Sequence, residues 1–395
     1  MNKNKKFQSS NAITISFAHF THDLYTSFLA PMLPLLINKF GISLSMAGFL
    51  DVARKFPALF NPFIGVMADK TSIRYFVIFT PLITGIAMSL LGVAPSYSVI
   101  LILLFVVGIS SAVFHIPSPV MIKNVSGNKT GKGMSYFMLG GEIARTLGPL
   151  LITASITIWG LEGSYKVMLL AFISTIFLYI KLKDIEVNKS YKKKNIEFSP
   201  KDTFKKLIPF FIIITGIALF RSSMKAAITL YLPTFLTSNG KSLWLAGISL
   251  SILQLSGAVG TFLAGSISDK IGRKYTLLIT AIANPILMWA FIILNDSFMI
   301  PILILIGFFL FASGPVLLAL VHDTDSEHPA FVNSIYMTIN FVMSSLMVLL
   351  VGFLGDKIGL IYTYKICAIL AAGSIPFILF LPKSIKQKHK RVSSN

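Results

Sequence analysis

Long apolar runs, each near the length that crosses a bilayer, alternate along this chain with short polar connections. A membrane-spanning helix needs about 20 predominantly apolar residues. The pattern predicts twelve such spans, at 12–37, 44–68, 74–94, 97–122, 132–158, 164–182, 207–237, 243–267, 275–295, 298–321, 329–354 and 360–381. Most connections are short. The exception is 183–206, a lysine-rich polar linker containing Pro200, which divides the spans six and six. The expected organisation is all-α: a six-helix bundle over 1–182, a basic linker over 183–206, a second six-helix bundle over 207–382 and a basic tail over 383–395.

Composition agrees. The 395 residues are 54% hydrophobic and 13% charged, with 33 Phe and a mean hydropathy of +0.77, whereas a soluble domain carries about 25% charged residues. The single Cys367 excludes a disulfide within one chain and a cysteine-based zinc site. A net charge of +20 would suggest nucleic acid for a soluble protein, but here its distribution explains it. Most Lys and Arg fall at the N-terminus, in the connections after even-numbered spans (Lys70, Arg74, Lys123, Lys129, Lys132, Lys270, Arg273, Lys274), in the linker and in the tail. The opposite side holds only Lys39, Lys166, Lys241, Lys357 and Lys365. The positive-inside rule then puts both termini and the linker in the cytoplasm, in a multi-pass protein of the cell (inner) membrane. No cleavable signal is expected, because the run after Lys6 contains His19 and Asp23 and is long enough to span.

Small residues recur at helix-contact spacing. Gly140, Ala144 and Gly148 are four apart, as are Gly257, Thr261 and Gly265, a spacing that lets membrane helices approach closely. Pro31, Pro34, Pro57, Pro62, Pro117, Pro119, Pro149, Pro233, Pro285 and Pro315 are expected to bend or interrupt spans.

A short charged turn, Gly265-Ser266-Ile267-Ser268-Asp269-Lys270-Ile271-Gly272-Arg273-Lys274, is echoed 200 positions earlier by Gly65-Val66-Met67-Ala68-Asp69-Lys70, closed by Arg74. Matching turns half a chain apart imply two similar halves, as in internally repeated transporters. The second copy resembles the loop signature of the major facilitator superfamily, with Gly265, Asp269, Lys270, Gly272, Arg273 and Lys274 in place. The first departs from it: Ser72 stands at the second glycine and Ile73 at a basic position. The resemblance covers nearly the whole chain. It implies the major facilitator fold of two pseudo-symmetric six-helix bundles, with Gly65, Asp69, Lys70 and Arg74 and the second copy forming a conformational latch on the cytoplasmic face. The alternative is a solvated positive turn that only fixes topology. Ala18 to Tyr25 followed by Pro31-Met32-Leu33-Pro34, then Gly108 to Pro117, and Gly140-Gly141 through Leu147-Gly148-Pro149, resemble the fosmidomycin-resistance branch of that superfamily.

Charges at membrane depth cost several kcal/mol and usually face a cavity or a partner. Asp23 lies mid-span with His19 one turn before it and His22 beside it. Asp51 precedes Arg54 by three and Lys55 by four, and Glu142 precedes Arg145 by three, so each acid shares a helical face with a base. These are either structural ion pairs or parts of a site. His115 precedes the Pro117/Pro119 break and is either a satisfied core residue or a member of the site. Arg221 and Lys225 share a face, have the same sign and have no nearby acid in sequence, so an anion or an acid of the other half should offset them. Proton-coupling candidates are therefore Asp23, His19, His22, Glu142, Asp51 and His115. Candidate substrate contacts are Arg54, Arg145, Arg221 and Lys225, with Tyr25, Tyr136, Tyr231, Tyr336, Gln254 and Asn340 as weaker pocket candidates.

No HExxH, Gly-x-Ser-x-Gly or GxxxxGK[ST] motif is present, so neither an enzyme nor an ATP-driven pump has support. The expected function is secondary transport by alternating access: a proton-coupled antiporter exporting a small, anionic compound or drug. The rivals are a proton-coupled uptake symporter for an organic anion and a non-transporting membrane receptor or scaffold. No cofactor and no metal are expected, with the proton gradient as driving force. The expected partners are a small-molecule substrate, protons and the lipid bilayer, with no nucleic acid and a monomeric chain.

Overall fold

The computed structural model describes residues 7–61, 73–185, 200–324, 326 and 329–381, and among these the regular structure is helical throughout. Inside a bilayer there is no water to take up backbone N–H and C=O groups, and a helix satisfies them all within one segment. Eight helical stretches are long and apolar enough to cross a membrane. Two of them, 130–182 and 331–379, hold two predicted spans apiece. The first predicted span is split into α1 (Ser9–Thr26) and α2 (Leu29–Phe40). The second opens with α3 (Leu44–Lys55) and a 3₁₀ turn, Phe56–Phe60, and passes beyond the described residues after 61. Twelve spans fit this arrangement.

The remaining helices are α4 (Ile73–Ser89), α5 (Tyr97–His115), α6 (Pro117–Ser126), α7 (Thr130–Gly163), α8 (Met168–Leu182), α9 (Pro200–Leu230), α10 (Leu232–Ser238), α11 (Leu243–Ile271), α12 (Arg273–Ile293), α13 (Met299–His322), α14 (Pro329–Ala372) and α15 (Ser374–Leu379). Proline breaks the helix at Pro117, which opens α6, and at Pro57 in the 3₁₀ turn. Pro34, Pro149, Pro285 and Pro315 are carried inside helices without interrupting them.

The helix punctuation repeats. Gly41 closes α2 with φ 58° and Gly240 follows α10 with φ 79°. Ser43 caps α3 by accepting from Met46 N at 3.1 Å, and Ser242 caps α11 by accepting from Leu245 N at 3.2 Å. Gly160 (φ 73°) and Gly359 (φ 78°) turn the chain inside α7 and α14. Each pair is separated by 199 positions, close to the offset of the two charged turns. A positive φ is open to glycine at little cost, so the glycines fix where each half turns. The segments Gly41-Ile42-Ser43-Leu44 and Gly240-Lys241-Ser242-Leu243 carry this signal in the sequence itself.

The residues group into two compact units, one formed by 1–192 with 232–251 and the other by 193–231 with 252–395. In the first, α1 packs along α7, and α10 lies against α2. The close approach of α1 to α7 needs the small-residue strip: a Cβ at Gly140 would collide with the Ser16 carbonyl, and one at Gly148 would lie 2.6 Å from the Leu24 carbonyl. Ile15, Ile78, Phe114, Met121 and Leu178 fill the interior of this unit. In the second unit α9 packs along α14, and Ile214, Val316, Leu317 and Val332 lie at its core.

Candidate functional site

Three helices of the first unit bring ionisable groups to one place, and a fourth adds a hydroxyl. From α1 come His19, His22 and Asp23, at 3%, 0% and 8% exposure. From α5 comes His115, from α7 Glu142 and Arg145, and from α4 the hydroxyl of Thr84. Asp23 is the hub. Its Oδ2 lies 3.3 Å from His19 Nε2 and 4.0 Å from Arg145 Nε. Its Oδ1 lies 3.3 Å from His22 Nδ1 and 3.3 Å from His115 Nε2. Arg145 is held in turn by Glu142 Oε1 at 2.6 Å.

Aromatic rings fix the imidazoles. His19 stacks on Phe137 with centroids 4.0 Å apart, and His22 on Phe114 at 4.5 Å. Their hydrogen bonds fix the tautomers. His19 Nδ1 lies 2.7 Å from the Phe137 carbonyl, which can only accept, so Nδ1 carries a proton. Ser110 Oγ donates to the Thr80 carbonyl at 3.0 Å, so Thr84 must donate to Ser110 across their 2.8 Å contact. Thr84 Oγ1 is then an acceptor toward His22 Nε2 at 3.2 Å, and Nε2 carries the proton of that ring. Both imidazoles therefore turn toward Asp23 the nitrogen that is bare when the ring is neutral. With both rings neutral and the carboxylate ionised, lone pair meets lone pair at both carboxylate oxygens. Each contact becomes a hydrogen bond only when a proton is added. The ligand atoms of His19, Asp23 and His115 lie within 4.8 Å of one another, a spacing that one small cation would also fit; the Arg145 guanidinium beside Asp23 already supplies positive charge there.

Thr84, Ser110, Phe114 and Phe137 escape a reading of the sequence, because a Phe or a hydroxyl in an apolar span looks like ordinary packing. Ser110 and Phe114 do fall in the Gly108–Pro117 segment, Phe114 next to His115.

The other expected residues lie elsewhere. Asp51 is 2% exposed and pairs with Arg54 Nη2 at 2.7 Å and Lys55 Nζ at 2.5 Å, while Arg54 also donates to the Thr26 carbonyl at 3.1 Å. This is the pair that the spacing implied, and it is distinct from the Asp23 cluster. Tyr25 and Tyr231 are fully buried, and their hydroxyls donate to the Val167 and Val348 carbonyls at 2.7 and 3.1 Å. They brace helices rather than open onto a pocket. Asn340 donates to the Tyr336 carbonyl at 2.9 Å, and Gln254 is half-buried on α11. Lys225 lies over the Phe311 ring at 5.6 Å. Arg221 lines a cavity of the second unit and donates to Ser313 Oγ at 2.7 Å.

Of the latch residues, Gly65, Asp69 and Lys70 lie outside the described residues. Arg74 donates to the Ile185 carbonyl at 3.2 Å. In the second copy the ion pair of Asp269 is with Arg273, at 2.7 Å, and Arg273 also bonds Ser268 and reaches Asp323 Oδ2 at 3.3 Å. The end of α11 is thereby joined through α12 to the end of α13. Lys274 caps the end of α15 by donating to the Leu379 and Leu381 carbonyls at 2.5 and 2.8 Å. Gly272 has φ 95° and ψ 148°, open to glycine, whereas a Cβ on Gly265 would meet nothing within 4 Å.

The family model of the Major Facilitator Superfamily matches residues 15–348. The chain belongs to the major facilitator superfamily. It is 26% identical over 387 residues to the fosmidomycin resistance protein of Escherichia coli K12, covering 95% of this chain and 93% of that one. It is 24% identical to an uncharacterised MFS-type transporter of Bacillus subtilis 168, covering 95% and 94%. Its fold is similar to that of a bacterial homologue of the human lysosomal transporter Spinster, with a TM-score of 0.80 at 15% identity over 94% of this chain and 96% of that one. The protein is thus a multi-pass membrane transporter of small-molecule substrates, not an enzyme.

Proposed function

We propose that this transporter is a proton-coupled antiporter that exports a small anionic compound, with the Asp23 cluster as its proton-loading site. The observation that carries the reading is the direction of the hydrogen bonds around Asp23. Two imidazoles whose far nitrogens are committed as donors present bare nitrogens to one carboxylate. Two added protons turn both contacts into hydrogen bonds, and their release leaves the carboxylate to Arg145 and His115. The groups facing Asp23 are His19 and His22 on its own helix, His115 on α5 and Arg145 on α7, the last tied to Glu142. A rearrangement that moves α1 against α5 or α7 changes the proton affinity of the cluster, the coupling that alternating access requires. Glu142, already bound to Arg145, is the second candidate.

Export is favoured over uptake by the name of the E. coli relative, and that name supplies the first probe. In proteoliposomes or everted vesicles with an imposed pH gradient, the protein is expected to accumulate fosmidomycin or another compound from a panel of small anions. Asp23→Asn should abolish accumulation driven by the gradient, by tenfold or more, while the protein still inserts and exchanges substrate. Accumulation by Asp23→Asn at the wild-type rate would make the cluster structural and pass the role to Glu142. The excess of Lys and Arg at the termini, in the linker and in the connections after even-numbered spans supports a cytoplasmic location for both termini and the linker.

A further inference from the structure

The second unit contains a cavity of about 20 Å³ between α9, α12, α13, α14 and α15, lined among others by Arg221, Asn284, Ser313 and Thr280 — room for one or two water-sized groups. Arg221 stands within an apolar span, where an uncompensated cation costs several kcal/mol. Among the described residues no carboxylate lies within ion-pair distance of it. Its Nη1 donates to Ser313 Oγ at 2.7 Å, and Ser313 donates onward to the Leu310 carbonyl at 2.9 Å, so one corner of the guanidinium is anchored. Nε, on the edge that also carries Nη2, is buried without a partner. Asn284 lines the same cavity at 5% exposure, and its amide oxygen is likewise buried without a partner. Turning that amide presents its NH₂ and breaks no bond made by the oxygen. Thr280 is not a donor here, because its hydroxyl is given to the Leu277 carbonyl at 2.8 Å.

The repeat makes the contrast plain. Thr280 and Asn284 stand 200 positions after Thr80 and Thr84, and Arg221 stands 199 after His22. One half holds an acid among imidazoles at the place where the other holds an arginine with no carboxylate in ion-pair distance among the described residues.

We propose that Arg221 and Asn284 form a binding site for a single carboxylate-sized oxyanion, taken by the Nε–Nη2 edge of Arg221 as a two-pronged contact and by the Asn284 amide. A planar guanidinium edge matches the two oxygens of a carboxylate, and the cavity admits little more than that group. The oxyanion is either the acidic group of the transported compound, in which case the site rests on the antiport reading, or a free anion of the same chemistry.

The test is thermal unfolding of the purified full-length protein in detergent, titrated with sodium formate and sodium acetate against sodium gluconate, which is too large for the cavity. A ligand that binds only the folded state raises the midpoint saturably. The expected result is a rise of a few degrees with formate and acetate, none with gluconate, and loss of the rise in Arg221→Gln and in Asn284→Leu, with Arg221→Lys recovering part of it. Equal rises in wild type and Arg221→Gln, or no rise in wild type, would overturn the proposal. Should Arg221→Gln fail to fold, Asn284→Leu alone decides, by losing the rise or keeping it. Competition of formate with substrate transport separates the sources: competition assigns the site to the substrate's acidic group, and a saturable rise without competition assigns it to a free anion. Because the rise needs no pH gradient, it survives failure of the antiport reading.

Discussion

Gly141→Ala tests the geometry of the proton cluster without altering any titratable group. A Cβ at Gly141 would lie 2.5 Å from His19 Cε1 and 2.8 Å from His19 Nε2. Ordinary contact begins near 3.4 Å, so the ring must retreat by about 0.9 Å. It has nowhere to go at no cost, being stacked on Phe137 at 4.0 Å, bonded to the Phe137 carbonyl at 2.7 Å and facing Asp23 at 3.3 Å. Overpacking of this size costs about 1–3 kcal/mol, and losing the hydrogen bond to the Phe137 carbonyl costs about 0.5–1.5 kcal/mol. Alanine in place of glycine within a helix returns about 0.5–1 kcal/mol. The net expectation is a destabilisation of about 0.5–4 kcal/mol, with the pH profile of transport displaced because the His19 ring is moved from its place against Asp23. The assay is the unfolding midpoint in detergent beside transport measured across pH. Gly131→Ala is the control, since a Cβ there meets nothing within 4 Å. If Gly141→Ala matches the control in midpoint and keeps the wild-type pH profile, the His19 ring does not stand against α7 and the cluster as described is wrong.

The second charged turn separates its two glycines. Gly272→Ala should cost about 1–3 kcal/mol, because its φ of 95° with ψ 148° strains any side chain, whereas Gly265→Ala, within a helix and with open space for a Cβ, should gain about 0.5–1 kcal/mol. Asp269→Asn should change stability by less than about 1 kcal/mol, its side chain being 65% exposed, yet shift cysteine-accessibility labelling between the two access states; no shift there or in Asp323→Asn would leave the turn with topology alone. Tyr231→Phe should lose about 1 kcal/mol with its bond to the Val348 carbonyl and keep the wild-type apparent affinity for substrate; weakened affinity would restore it as a contact. Reporter fusions after Lys194 and at the C-terminus should both read cytoplasmic, and an external signal at either would refute the orientation.

The sequence by itself determined the class, the repeat and the local pairs. Span length follows from bilayer thickness, so hydrophobic runs set the elements without reference to packing. Glycines such as Gly41 and Gly240 act through their own backbone, and Asp51–Arg54 and Glu142–Arg145 sit on one helical face, so spacing along the chain was enough to find the pairs. The strip at Gly140 and Gly148 was legible for the same reason, since small residues four apart must share a face. What only the tertiary structure decided is which helices meet. His115 joins Asp23 from 92 positions away, and Thr84 reaches His22 from α4 while Ser110, on the same helix as His115, accepts from Thr84. The role of Asp323, an acid in an otherwise basic pattern, emerged only when α13 ended beside Arg273. Hydrogen-bond direction was the last thing to appear. Whether a histidine presents a proton or a lone pair to Asp23 depends on what lies behind its other nitrogen, and here those groups are the Phe137 carbonyl and the Thr84 hydroxyl, brought there by helix packing alone.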